Sequence, residues 1–573
     1  MLIWIELGFV VLSIILAFWL PGFGSGWFCK AERNFTAVAR HRGLSILLVG
    51  LGALAARGAV LPILPIPQAH INDEFSHLLL ADTLAHGRLA NPTPAMWIHL
   101  ETFHVIMRPT YSSMYPPAQG AVLATGQLMA HQPFVGVWIS ISVMCAALCW
   151  MLQAWLPSEW ALLGGLIAVM RLGVFSYWAN SYWGGAVSAT GGALVLGALP
   201  RIFRYARTRD VLLMGLGLGI LANSRPYEGL VVCLPVAVAL CIWLFKKKGP
   251  ELRWAVRRVI APLALTVLVA ASGSGYYFWR VTGNPFRMPQ QVDRDTYGIA
   301  PYFLWQSPKP APTYHYQELR TFYGGNELNF YRETQTAAGL AGVWIVRILH
   351  TWLFYLGPAL TLPLLIAIAM APYGARWGTL NRQTRFIFVA GLVSIIGLGI
   401  EVFFFPHYAA PMTGLLYIVI LAALRRLRAW RWNNKPAGTF LTRAVPAICL
   451  LLLALRAGAG PLHLSLAPDW PPTWYNGVSV KTERARVQRQ LGAYPGKQLV
   501  IVRYRPSSRL QYDWVYNEAD IESAKTVWAR DFGAAGNQEL LLYFKERRAW
   551  LIEPDENPPE LMPYSAASAA AGE

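Results

Sequence analysis

The chain predicts an all-α polytopic membrane bundle that carries a small soluble α/β domain at its C-terminal end. Three observations predict it. Hydrophobic residues make up 55% of the 573 residues and charged ones only 14%, against about 25% charged in an ordinary soluble domain. Apolar runs recur along the first 460 residues at lengths near the roughly 20 residues that cross a bilayer. From residue 461 onward the runs shorten to strand length and polar turns separate them.

The apolar runs cover about 2–20, 43–65, 134–156, 159–176, 185–204, 211–223, 229–245, 257–281, 341–370, 386–405, 409–424 and 443–460, which predicts about twelve crossings. The first run has no basic residue before it, contains Glu6 and is followed by Lys30, Arg33, Arg40 and Arg42. A cleaved signal would carry its charge first. An uncleaved span with its N-terminus outside is expected.

Charge placement tests that map. The formal net charge is +19, yet residues 461–573 hold 13 basic and 14 acidic side chains. The excess therefore lies within the hydrophobic part, in the clusters Lys30 to Arg42, Arg201 to Arg209, Lys246 to Arg258, Arg376 to Arg385 and Arg425 to Arg443. Threaded through the spans, all five clusters fall on one face, as the positive-inside rule requires. The long polar segments, loops 66–133 and 282–340 and the tail 461–573, fall on the other. This sidedness requires residues 118–131 to lie along the membrane surface. It reports orientation and excludes nucleic acid as a partner. The six cysteines sit in or beside apolar runs without CxxC spacing, which argues against a zinc site or a disulfide framework.

In the tail, strands are expected at Leu499–Val502, Lys525–Ala529 and Ala549–Ile552. Asn537 is placed to cap a helix over 538–547. Residues Ser565 to Glu573 read as disordered. No phosphate loop or nucleophile elbow occurs, so a capping or acceptor-contacting role fits the tail best.

Chemistry concentrates at the outer ends of spans. Ile71-Asn72-Asp73-Glu74-Phe75 puts two carboxylates at the lip of a span, where ionisable groups are costly and point to function. Asp73 is the candidate general base and Glu74 its support; Asn72 and Asp73 are equally good helix caps. The same loop holds His70, His77, His86, His99 and His104, with Glu101 as a candidate second catalytic acid. Asp73, Glu74 and His77 are candidate ligands for a divalent cation, Mg or Mn. The spacing matches no metal signature, and ordinary interfacial histidines fit as well.

Arg225 and Glu228 lie in the short external turn Asn223-Ser224-Arg225-Pro226-Tyr227-Glu228-Gly229. The guanidinium suits a phosphate or pairs with Glu228. His407 and Tyr408 occupy a second external turn, and Tyr115 ends the first loop in Tyr115-Pro116-Pro117. Arg171 and Arg347, inside apolar runs, need charge partners. External Tyr and Trp residues suit sugar rings or a membrane belt.

The order and sidedness of these motifs resemble the GT-C class of integral-membrane glycosyltransferases, in the group containing protein O-mannosyltransferases and aminoarabinose transferases. Asp73-Glu74 after a span, the loop ending in Tyr115-Pro116-Pro117-Ala118-Gln119-Gly120, the short turns that follow, and His407-Tyr408-Ala409-Ala410-Pro411 carry it, over about residues 40–460. The resemblance implies a bundle with an outward cavity, a polyprenyl-phosphate-linked sugar donor, Asp73 as the first-loop acid, and Arg225 with His407 near the donor phosphate. It implies a bacterial inner-membrane protein whose N- and C-termini both lie outside. Two departures stand out: a span precedes the usual first one, and the tail matches no named module. The expected function is inverting sugar transfer to an external acceptor. A transporter or flippase of lipid-linked saccharides, or a membrane scaffold, are the rival readings. The lack of internal repeats and the gathering of charge at span ends weigh against transport.

Overall fold

The computed structural model describes residues 1–370, 381–462, 464, 473–476, 482–505 and 512–564. Each of the twelve apolar runs is a helix. Ten of these helices are long and apolar enough to cross a membrane, so the chain is a multi-pass membrane protein. The other two, Ser158–Leu172 and Thr208–Ala222, are shorter, with 15 residues each. Gly249–Thr282 and Ala337–Ala369 are longer than the sequence runs imply, because π-type stretches at Val256–Ile260 and Trp352–Leu356 carry the helix on.

The bundle centre is built from Pro133–Trp155, Ala186–Tyr205 and Pro406–Arg428, the most enclosed of the long helices. Without a hydrophobic drive between helices in lipid, small residues let backbones approach. A Cβ at Gly192 would collide with the Pro411 carbonyl, so this glycine seats the turn that carries His407.

Ion pairs at one end of the bundle agree with the expected sidedness. Glu32, on the amphipathic helix Ser25–Arg40, pairs with Arg428 at 2.8 Å and Arg443 at 3.0 Å. That joins two of the basic clusters. The Gln153 amide donates to the Arg42 carbonyl at 3.0 Å, and Arg201 lies over the Trp150 ring at 4.0 Å. Residues 376–380 of the fourth basic cluster lie outside the described residues, as do Ser565 to Glu573.

The span that precedes the usual first one is pinned in place. Glu6 and Arg171 form a fully buried pair at 2.9 Å; Glu6 also accepts from the Ala359 N–H, and Arg171 donates to the Leu356 carbonyl. A buried charge pair of this kind is costly to break from one side. Arg347 instead donates to the carbonyls of Leu398, Gly399, Glu401 and Val402. It satisfies the orphan acceptors at the end of Arg382–Gly399.

The tail holds a four-stranded sheet. Its strands are β3 (Gln498–Val502), β4 (Thr526–Arg530), β5 (Arg548–Ile552) and β6 (Met562–Pro563), numbered after a short pair β1 (Val105–Ile106) and β2 (Ser112–Ser113) in the first external loop. The order is β4-β3-β5-β6, with β3 parallel to both β4 and β5 and β6 antiparallel. The helix expected over 538–547 runs from Gly533 to Tyr543. Asn537 lies inside it rather than at its start. From there its Oδ1 still accepts from the Phe532 N–H at 3.0 Å, while Asp531 takes the Gly533 N–H at 3.0 Å. Two side chains thus serve donors that one cap was expected to serve.

The tail and the first loop share one apolar core. Leu79, Leu100, Val105, Met107 and Tyr111 of the loop pack with Leu499, Ile501, Val527, Ala529 and Leu551 of the tail.

Candidate functional site

Asp73 sits in the first turn of the helix Asn72–Ala85, whose N-cap is Ile71. Neither Asn72 nor Asp73 is the cap. The Asp73 carboxylate turns instead toward the loop: Oδ1 accepts from the Tyr115 hydroxyl and from His104 Nδ1, the latter at 3.0 Å. No hydrogen-bond partner engages Oδ2 among the described residues, and the side chain is 23% exposed. Burial alone would raise this carboxyl. The charge and hydrogen bond of His104, with the Tyr115 hydroxyl, outweigh burial and hold it below the usual carboxylate range.

His104 is held by its backbone. Its φ is +60°, a region uncommon for residues other than glycine. Its carbonyl accepts from the Ser76 hydroxyl at 2.6 Å and the Met114 N–H at 3.2 Å. Those bonds over-determine a conformation that would otherwise cost free energy, as at many functional sites. Burial opposes its charge, but Asp73, and beyond it Asp293 and Glu327, push the imidazole above its ordinary range.

His77 lies one turn after Asp73 and stacks on the Tyr115 ring at 4.4 Å. Burial pushes it down to about 3; Asp73 opposes that, while Arg225 and His104 add to it. It is therefore neutral. His77 and Tyr115 both feel the charges of Asp73 and Arg225.

The turn carrying Arg225 is fixed to the end of the first loop by the Ala118 N–H, which donates to the Asn223 carbonyl at 2.8 Å. Arg225 pairs with Glu228 at 3.3 Å and lies over the Tyr408 ring at 4.2 Å. Glu401 is buried nearby. Burial first, then Glu228, push its carboxyl well up. His407, next to Tyr408, is buried; its Nδ1 lies 2.9 Å from the Tyr177 hydroxyl, and the Trp183 ring meets it edge-on at 4.7 Å. Asp73, His77, Tyr115, Arg225, Glu228 and Tyr408 thus gather at one outer end of the bundle, with His407 behind them.

Glu74 and Glu101 face elsewhere. Glu74 Oε2 accepts from the backbone N–H groups of His70 and Ile71 at 3.0 and 3.4 Å, and Oε1 from that of Tyr182 at 3.0 Å. It closes the start of its helix and ties it to residues 177–183. Glu101 Oε1 accepts from the Tyr297 hydroxyl at 2.6 Å, and Oε2 pairs with His315 at 2.8 Å. It clamps the second external loop to the first.

Two residues that sequence reading did not single out belong to the site. His104 was one of five loop histidines, and nothing in its neighbours along the chain marks it as the partner of Asp73. Asp293, in the helix Pro289–Thr296, is buried with no hydrogen-bond partner for either oxygen among the described residues. Burial raises it to about 6 against the pull of His104 and Arg294.

Among the described residues, no group of three His, Cys, Asp or Glu side chains is arranged to hold a metal ion. Of the three candidate ligands, Glu74 has both oxygens committed to backbone donors. The set does not fit a divalent cation.

No family model matches the chain, and no curated protein matches it. Solved structures do. ArnT from Cupriavidus metallidurans in the apo state is 13% identical with a TM-score of 0.47, covering 92% of this chain and 93% of that one. The same protein bound to undecaprenyl phosphate is 12% identical with a TM-score of 0.45, covering 89% and 92%. The apo oligosaccharyltransferase from Archaeoglobus fulgidus is 11% identical with a TM-score of 0.44, covering 89% and 69%. These likenesses concern the same group of proteins as the sequence resemblance. At such identities and scores they establish no activity, and the chain's own side chains must carry it.

Proposed function

We propose that the chain is a membrane glycosyltransferase. It moves a sugar from a polyprenyl-phosphate-linked donor to an acceptor hydroxyl or amine at the extracytoplasmic face of a bacterial inner membrane. The observation that carries this reading is the Asp73 carboxylate: ionised, part-exposed, with one oxygen held and the other open, on the same outer end as Arg225.

Asp73 Oδ2 takes the proton of the acceptor group as that group attacks the anomeric carbon. The new bond forms as the anomeric carbon–oxygen bond to phosphate breaks, and its electron pair leaves on the phosphate oxygen. Attack opposite the leaving phosphate inverts the sugar. Arg225, over the Tyr408 ring, binds the donor phosphate in ground and transition state alike. His104 and the Tyr115 hydroxyl orient Asp73 and keep it ionised. Neutral His77, stacked on Tyr115, adds no charge that would weaken either the base or the cation. Because Glu74 is committed to backbone donors, no step is routed through a divalent cation.

The test is donor consumption. Purified protein is incubated with polyprenyl-phosphate-linked sugars and a panel of acceptors. Wild type should release polyprenyl phosphate, and Asp73→Asn should not, while still eluting as folded protein. Near-normal turnover by Asp73→Asn would remove Asp73 from the mechanism. Movement of intact donor across vesicles without bond cleavage would favour the flippase reading.

A further inference from the structure

The tail sheet reverses direction at β3. From β3 the chain moves to β4 on one side, then crosses by the helix Gly533–Tyr543 to β5 on the other. In open parallel sheets, ligands bind outside the carboxyl ends of the strands. A cavity of about 240 Å³ lies at the carboxyl ends of β3 and β4, lined by Arg503 and Tyr504 after β3, by Arg530 and Asp531 at the end of β4, and by Tyr316 and Glu318 of the second external loop.

Arg530 is the telling residue. It is 2% exposed. Its Nε donates to the Glu101 carbonyl at 2.9 Å and its Nη2 to Asp513. Its Nη1 has no hydrogen-bond partner among the described residues. A buried donor left without an acceptor is costly, so the unused Nη1 points to a ligand that would accept from it. The Tyr316 and Tyr504 rings flank it at 4.6 and 5.3 Å.

The walls choose between ligand classes. Two guanidinium and two carboxylate groups line the cavity, so neither a strongly anionic nor a strongly cationic ligand is favoured. The helix N-terminus that might attract an anion is already served by Asp531, which accepts from Gly533 and pairs with Arg503 at 2.5 Å. Closely mixed donors and acceptors beside tyrosine faces match a polyhydroxylated ring, whose hydroxyls both give and take hydrogen bonds. The cavity is tied to the first loop: the Tyr316 hydroxyl donates to the Ile98 carbonyl at 2.5 Å and Arg530 to the Glu101 carbonyl at 2.9 Å, three residues before His104.

We infer that this cavity binds a neutral saccharide. Resting on the transferase reading above, it is the subsite that holds the acceptor glycan.

The experiment uses the full chain in detergent with neutral trisaccharides of glucose, galactose, mannose and N-acetylglucosamine, observed by saturation-transfer NMR. At least one should bind. Glu318→Trp, which fills the cavity from its part-exposed rim, should weaken that binding about tenfold or more, and Tyr316→Leu should do so independently. Asp73→Asn should bind the saccharide as wild type does. The inference is overturned if no probe binds, if both cavity variants leave binding unchanged, or if inorganic phosphate displaces the sugar. Should Asp73→Asn keep full transfer while saccharide binding behaves as described, the transferase mechanism fails and the saccharide site stands. Loss of transfer in Asp73→Asn with no saccharide bound by any form of the protein leaves the mechanism standing and removes the saccharide site.

Discussion

The first external loop supplies the carboxylates of two carboxylate–histidine pairs of almost equal length. Asp73 meets His104 at 3.0 Å, and Glu101 meets His315 at 2.8 Å. Distance does not separate them; saturation does. Both Glu101 oxygens are bonded and its side chain is 2% exposed, so it can only hold two loops together. Asp73 keeps Oδ2 open and is 23% exposed, beside a histidine whose backbone sits in an uncommon region. A carboxylate becomes available for chemistry when its surroundings charge it and orient it but stop short of satisfying it.

The sharpest way to break this contrast is to neutralise each acid in turn. Asp73→Asn should lower the transfer rate by about 10²–10⁴-fold, the usual worth of a general base. Glu101→Gln, which still accepts from Tyr297, should cost less than about tenfold. Steady-state rates on the two purified variants decide it, and equal losses would erase the distinction.

A smaller effect is expected at the cation. Arg225→Lys keeps the charge but loses the planar fork over Tyr408. It should raise KM for the donor by about tenfold while changing kcat less, since tenfold is about 1.4 kcal/mol of binding. A fall confined to kcat would assign Arg225 to the transition state alone.

Stability should sort the acids the other way round. Glu101→Ala leaves the buried Tyr297 hydroxyl unsatisfied and should cost about 1–3 kcal/mol. Glu74→Ala, which strips three backbone N–H groups of their acceptor, should cost a similar amount. Asp73→Ala should cost less than either. Unfolding of the detergent-solubilised variants measures this order.

The smallest signal is pH dependence. The raised imidazole of His104 contributes stability that is fully present below its ordinary value of 6.5 and is lost as pH rises through its higher folded value. The depressed Asp73 carboxyl contributes stability present above its ordinary 3.8 and lost as pH falls through its lower folded value. The pair is therefore fully formed between about pH 4 and 6.5. The stability difference between wild type and His104→Gln should be largest there and shrink toward alkaline pH. A difference that grows with pH would mean that His104 is neutral in the folded protein.

Much of the architecture was legible along the chain. Runs of apolar residues must become helices in lipid, because no other structure satisfies the backbone there, and each of the twelve runs is helical. Clusters of Lys and Arg are expected on one face, because their placement answers to the membrane and not to packing, and Glu32 joins the first of them to the last. Strands in the tail were readable from β-branched and aromatic runs to within a residue or two. The last helix starts earlier than local sequence suggests, because Asp531 and Asn537 share a capping task that the pattern assigns to one of them.

Within the site, composition and position suggested that acids and cations stand at the outer ends of spans, since charge so near lipid is expensive without a use. They did not say which acid faces solvent and which is spent on structure. Asp73 and Glu74 are neighbours on one helix turn and point to different parts of the molecule. His104, Asp293 and His315 come from distant stretches of chain, and only folding brings them to Asp73 and Glu101. The sequence by itself determined the helical runs and the kinds of group available, because these follow from transfer of residues between water and lipid. Tertiary structure alone decided which carboxylate is left unsatisfied, because that depends on hydrogen bonds made across some 30 to 200 residues of chain.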